Sequence, residues 1–136
     1  MPNILILAGG YGTRLNSIVD DLPKPLAPIN NKPFLHFQIT EIRKYFSKDK
    51  IYLLTHHLSD KIEDYYSNDN NISIIKEDNA LGTGGAIKNA ISVLNLHSND
   101  DLLIFNGDTY MMPELDTFIN RSIYDVNIIT MFQEEC

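Results

Sequence analysis

The sequence predicts a three-layer α/β domain with a Rossmann-like, mainly parallel sheet, and three observations carry that expectation. Short apolar runs alternate with segments of helical periodicity, as in successive βαβ units. Two of the runs, Ile4-Leu5-Ile6-Leu7 and Leu102-Leu103-Ile104-Phe105, are continuously apolar, as strands covered on both faces are. A glycine-rich turn follows the first run directly, at the end of a parallel strand where α/β folds take their ligands.

Taken in order, strands are expected at 3–8, 50–55, 72–76, 101–105 and 125–132, with the first and fourth in mid-sheet. Helices are expected over 33–47, 59–67, 84–95 and 113–119. In the first, Phe34, Phe37, Ile42 and Tyr45 can share a face, and Pro33 suits the first turn because its missing N–H has no intrahelical partner there. In the third, Ile87, Ile91 and Leu94 form a stripe. Asn68 to Asn71 is a polar turn cluster, and no internal repeat interrupts the pattern, so residues 1–136 read as one domain.

At 136 residues and 43% hydrophobic, the chain can bury one sizeable core. Its formal charge is −7 and no stretch concentrates Lys and Arg, which argues against nucleic acid as a partner. An acidic chain can still bind a nucleotide if a few cations and backbone N–H groups converge on the phosphates, and Arg14 and Lys24 are candidates. The one cysteine, Cys136, permits neither an internal disulfide nor a cysteine-based metal site, which fits a reducing cytoplasm. No segment has membrane-spanning length or the form of an export signal.

The first strand runs into Gly9-Gly10-Tyr11-Gly12-Thr13-Arg14. Such glycines can turn successive N–H groups toward a triphosphate, with Arg14 adding a planar fork of donors; equally, they can make a tight turn and nothing more. Leu15 stands where a dinucleotide fingerprint needs its third glycine, and no Gly-Lys-Ser/Thr follows to make a P-loop. Ten residues beyond Arg14, Pro23-Lys24-Pro25-Leu26 holds a lysine between two fixed φ angles. The fourth strand ends in Asn106-Gly107-Asp108-Thr109, which points Asp108 into the same cleft; it reads either as a turn aspartate or as one carboxylate of a magnesium site.

Together, Leu7-Ala8-Gly9-Gly10-Tyr11-Gly12-Thr13-Arg14-Leu15 and Pro23-Lys24-Pro25-Leu26 resemble the signature of the sugar-phosphate nucleotidyltransferases. The resemblance implies that Leu7, Ala8, Gly9, Gly10, Gly12 and Thr13 wrap a nucleoside triphosphate, that Arg14 contacts its phosphates, and that Lys24 neutralises charge at the reacting phosphoryl centre. It also implies that Asp108 binds Mg2+ and that Asn106, two residues before it, contacts substrate. The segment Glu77-Asp78-Asn79-Ala80-Leu81-Gly82-Thr83-Gly84-Gly85-Ala86 resembles the family's base-recognition segment, with Asn79, Leu81, Gly82, Thr83 and Gly84 at the nucleoside; read from the residues alone, it is a helix start capped by Thr83.

The pattern is most similar to the heptose 1-phosphate and mannose 1-phosphate guanylyltransferase branches. These imply transfer of a nucleotidyl group, with GTP favoured, to a sugar 1-phosphate, giving a nucleotide sugar for surface polysaccharide synthesis. Uridylyl or cytidylyl transfer, and a nucleotide-binding module without catalysis, stay open as alternatives. Family members continue beyond the fifth strand with sugar-binding residues and a second metal-binding aspartate, so this chain is expected to hold the nucleotide-binding part, and its sheet edge to favour self-association into homo-oligomers. His56 and His57 would border the base pocket on opposite faces of the chain, one ring of Tyr65 and Tyr66 would be partly buried, and Asp20 and Asp21 would be solvated loop charges.

Overall fold

The structure, a computed structural model, describes residues 2–10, 22–109, 115 and 117. The chain runs β1 (Asn3–Leu7), a 3-10 turn (Lys24–Leu26), β2 (Pro28–Ile29), β3 (Lys32–Pro33), α1 (Phe34–Tyr45), β4 (Ile51–Thr55), α2 (Ser59–Tyr66), β5 (Ile72–Lys76), α3 (Gly82–Val93) and β6 (Leu102–Asn106). Four strands form a parallel sheet in the order β5-β4-β1-β6, with Ile4 facing Ile51 on one side of β1 and Leu103 on the other. The strands and helices expected from the sequence before residue 107 are all present, with ends shifted by up to two residues. The strand expected at 125–132 lies outside the described residues, as does most of the helix expected at 113–119.

Strand alternation divides the core in two. Ile4 and Ile6 of β1, Ile51 and Leu53 of β4 and Ile72 of β5 point to one face, where they pack with Leu35, Ile39 and Ile42 of α1, Ile62 of α2 and Leu115. Leu5, Leu54 and Ile75 point to the other face, against Ala86 and Ala90 of α3. Ile4, Leu5 and Ile6 have no exposed surface, so each contributes about 1.5–3 kcal/mol of burial free energy. β1 is central, as the sequence predicts. β6 has one described neighbour, β1, and Ile104 on it is 39% exposed.

The order of strands follows from right-handed crossovers. From β1 the chain steps outward to β4 and β5 through α1 and α2, which therefore cover the same face. It then returns across the sheet through α3, on the opposite face, to pair β6 with the free side of β1. The direction of winding reverses between β1 and β6. A reversal of this kind leaves a crevice at the carboxyl ends of the two strands, the usual ligand site of open α/β sheets.

One element is absent from the sequence-based expectation, the small antiparallel hairpin β2–β3. Its two-residue loop, Asn30-Asn31, has φ of 49° and 65°, as a type I′ turn requires, and asparagine is among the few residues that tolerate both positions. Phe34 N–H donates to Ala27 O, closing the hairpin onto the start of α1. Among the described residues no helix is long and apolar enough to cross a membrane.

Candidate active site

Three of the four strands, β1, β5 and β6, reach one step past their own ends by a further ladder hydrogen bond, all at the same edge of the sheet. Ala8 N–H donates to Leu54 O, Glu77 N–H to Thr55 O and Gly107 N–H to Leu7 O, each at 2.8 Å. The loops after β5, β4, β1 and β6 therefore stand in a row about 14 Å long, three strand spacings. The segment from Glu77 to Gly84 occupies one end of the row, Leu7-Ala8-Gly9-Gly10 the middle, and Asn106-Gly107-Asp108 the other end.

The winding reversal brings Lys24 and Asp108 together. Lys24 Nζ lies 3.1 Å from Asp108 Oδ2, across 84 residues of sequence. Lys24 is presented by the 3-10 turn, in which Leu26 N–H donates to Pro23 O and Ala27 N–H to Lys24 O, while Pro23, Pro25 and Leu26 are buried. The flanking prolines thus serve as buried anchors, and the lysine between them is held at the cleft as its sequence context predicts. Asp108 Oδ1 accepts a hydrogen bond from Thr109 Oγ1 at 3.1 Å. Both side chains of the ion pair remain open to solvent, at 35% and 43% exposure, so incoming groups can reach them.

The close approach of β6 to β1 demands a glycine before Asp108. A Cβ on Gly107 would lie 2.5 Å from Leu7 O. Gly9 packs against the start of the loop after β4, where an added Cβ would lie 3.3 Å from His56 N; Gly10 is exposed, and an added Cβ there would meet no described atom within 4 Å. Gly12, Thr13 and Arg14 lie outside the described residues, as do Asp20 and Asp21.

At the other end of the row, α3 starts at Gly82, two residues earlier than the sequence predicts. Thr83 stands inside the first turn and does not cap it; the capping position is Leu81, with no side-chain hydrogen bond. Gly82 has φ of +71°, which a residue with a side chain would adopt only with strain. Asn79, Leu81, Gly82, Thr83 and Gly84 are all exposed, and the first-turn N–H groups have no side-chain cap. Glu77, 6% exposed, holds this segment: its Oε2 accepts from Leu81 N–H at 3.2 Å. His56 lies 3.0 Å from Glu77 O through Nδ1, which therefore carries the proton, since a carbonyl can only accept.

Two side chains that the sequence reading did not single out for a role prove structural to the site. Glu77 is one. The other is Gln38 of α1, 4% exposed, whose Nε2 donates to Asn106 O at 2.9 Å and reaches Thr109 O at 3.4 Å. A polar residue on the buried stripe of an amphipathic helix is the signal that marks it. Among the described residues no three His, Cys, Asp or Glu side chains cluster as a metal site. Magnesium, however, takes one or two carboxylates with phosphate oxygens and waters, and Asp108 offers a hard oxygen donor where phosphates would lie. Tyr65 is 53% exposed and packs edge-on against the partly buried Tyr66, as expected of one ring of the pair.

A winding reversal, with Gly9 and Gly10 leaving the central strand and a cation paired with a carboxylate beside it, defines a Rossmann-like domain with a charged cleft at its switch point. The model of the nucleotidyl transferase family matches residues 3–135, and the chain belongs to that family. It is 40% identical, over 122 residues, to D-glycero-alpha-D-manno-heptose 1-phosphate guanylyltransferase of Aneurinibacillus thermoaerophilus, covering 88% of this chain and 51% of the relative. Identity is 39% over 114 residues to the enzyme of the same name from Campylobacter jejuni, covering 82% and 49%. The crystal structure of HddC from Yersinia pseudotuberculosis complexed with GMP-PN superimposes with a TM-score of 0.76 at 37% identity, over 90% of this chain and 55% of that one. The chain spans about half the length of the curated relatives it matches.

Proposed function

We propose that this chain carries the nucleotide-binding part of a cytoplasmic sugar 1-phosphate guanylyltransferase, acting on a heptose or mannose type of sugar phosphate in the supply of nucleotide sugars for surface polysaccharide. The observation that carries the reading is the ion pair between Lys24 and Asp108 beside the glycine loop of β1. The similarity to heptose 1-phosphate guanylyltransferases and to a structure complexed with GMP-PN supports guanine as the base and a sugar 1-phosphate as the acceptor.

In this reaction an oxygen of the sugar 1-phosphate attacks the α-phosphorus of GTP in line, the new O–P bond forms as the bond to the β-phosphate bridging oxygen breaks, and pyrophosphate leaves. No covalent enzyme intermediate is required. The glycine loop and Arg14 orient the triphosphate, and Lys24 offsets charge that gathers at the α-phosphoryl group. Asp108 would hold Mg2+, which supplies Lewis-acid stabilisation of phosphate charge when bound. The exposed turn Leu81 to Gly84 admits the flat base, and Glu77, an acceptor-only carboxylate at its root, suits the N–H donors of guanine.

The test is magnesium-dependent release of pyrophosphate from a panel of triphosphates and sugar phosphates. This chain is expected to bind GTP with little turnover of its own, and a protein that also holds the sugar-binding part to turn over GTP with a heptose or mannose 1-phosphate. Preferential binding of UTP or CTP, or robust nucleotide-sugar synthesis by these 136 residues alone, would replace this reading.

A further inference from the structure

We propose that Gln38 is a positioning residue for Asp108, a carboxamide clamp that sets the carboxylate's place in the cleft; the inference rests on the role assigned above to Asp108. The turn Asn106-Gly107-Asp108-Thr109 begins where β6 ends. One side of it is fixed by Gly107 N–H donating to Leu7 O, and internally Thr109 N–H reaches Asn106 O at 3.4 Å, a long contact that leaves the turn weakly closed by its own backbone. Gln38 supplies the missing closure. Its Nε2 has two hydrogens and faces two carbonyls, Asn106 O at 2.9 Å and Thr109 O at 3.4 Å, one at each end of the turn. The orientation of the carboxamide is fixed by chemistry, because the flipped form would set its oxygen against both carbonyl oxygens.

The other half of the carboxamide argues that stability is not the reason for this residue. Gln38 Oε1 is buried and, among the described residues, has no hydrogen-bond partner. An unpaired buried acceptor destabilises the fold, and an apolar side chain of the same shape would remove that penalty together with the clamp. Gln38 sits on the stripe of α1 that also carries Leu35, Ile39 and Ile42, where an apolar residue is the simpler solution. What glutamine adds is a donor reaching 68 residues along the chain to the turn that carries Asp108, and through it to the Lys24 pair.

The near-isosteric variant Gln38→Met tests this in the full chain, with Gln38→Leu in reserve should the first not fold. Amide hydrogen exchange at Gly107 and Thr109 is expected to quicken about tenfold or more while β1 and β4 keep their protection and the melting temperature holds. Unchanged exchange at both amides would overturn the clamp whatever the activity does. For nucleotidyl transfer, kcat is expected to fall about tenfold with little change in KM for the sugar phosphate, and Gln38→Met is expected to add nothing further in an Asp108→Asn background. Unchanged kcat, or an effect that multiplies undiminished onto Asp108→Asn, would show that Gln38 does not act through Asp108. A parent that binds no GTP would count against the proposed function alone, and the exchange measurement still decides the clamp.

Discussion

Gly107→Ala places a methyl group where two backbones already touch. The new carbon would lie 2.5 Å from Leu7 O, 3.2 Å from Leu7 C and 3.3 Å from Ile6 Cγ2. Ordinary van der Waals contact to that oxygen needs about 0.9 Å more, and neither partner is the free end of a flexible side chain. Either β6 moves away from β1, breaking the 2.8 Å bond from Gly107 N–H to Leu7 O, or the turn rotates and carries Asp108 away from Lys24. Overpacking of about 1–3 kcal/mol and a lost hydrogen bond of about 1 kcal/mol give a destabilisation of roughly 2–4 kcal/mol. For a domain of this size that corresponds to a fall in melting temperature of roughly 6–20 °C. Circular dichroism melts of parent and variant measure it, with Gly10→Ala as the comparison, since a Cβ there meets no described atom within 4 Å and the melt is expected to stay within about 2 °C. If Gly107→Ala melts with the parent, the close approach of β6 to β1 is not what requires a glycine at this position.

The remaining expectations concern the cleft and one buried phenol. Lys24→Ala and Arg14→Ala are each expected to weaken triphosphate binding about tenfold by titration calorimetry, each through the loss of one charge-assisted contact; unchanged affinity in both removes the phosphate assignment. Asp108→Asn is expected to keep the melting temperature and lose most of the magnesium enhancement of nucleotide binding, so equal enhancement in variant and parent would make Asp108 structural. Tyr66 has a buried hydroxyl with no hydrogen-bond partner among the described residues, and burial, with the neighbouring Tyr65 and Asp69, raises its pKa above the ordinary value of 10.0, against the lowering effect of Arg43. The folded protein resists its ionisation, so stability is full below about pH 10, the unfolded value, and declines as pH rises above it. Tyr66→Phe is expected to be neutral or stabilising by about 1 kcal/mol at pH 7 and to flatten that alkaline decline in urea unfolding curves; an unchanged alkaline slope would refute it.

The sequence made the strands legible because each is a short run of Ile and Leu bounded by turn residues, and helical periodicity located α1, α2 and α3 but misjudged their faces. Of Phe34, Phe37, Ile42 and Tyr45 only Ile42 is buried, beside Leu35, Gln38 and Ile39, and in α3 the small Ala86 and Ala90, not Ile87, Ile91 and Leu94, face the sheet most closely. The hairpin β2–β3 escaped because two residues per strand give no alternation to count, leaving Asn30-Asn31 as its one local mark. Thr83 looks like a cap and so shifts the expected start of α3, whereas the exit from β5 is fixed by Glu77 reaching forward to accept from Leu81 N–H, a contact that propensity does not encode. Lys24 and Asp108 were legible one at a time as residue types in suggestive turns. Their contact was not, since it depends on which edge of β1 receives β6, and that follows from the whole path of the chain through α3. The same reasoning explains Gln38. A single glutamine on an apolar helical stripe announces that some buried polar group needs a donor, but its partners lie two crossovers away in the winding order, at the end of a strand that pairs with β1 only after β4 and β5 have taken the other side. Local chemistry therefore names the candidates for such a site, and the handedness of the connections decides which of them meet.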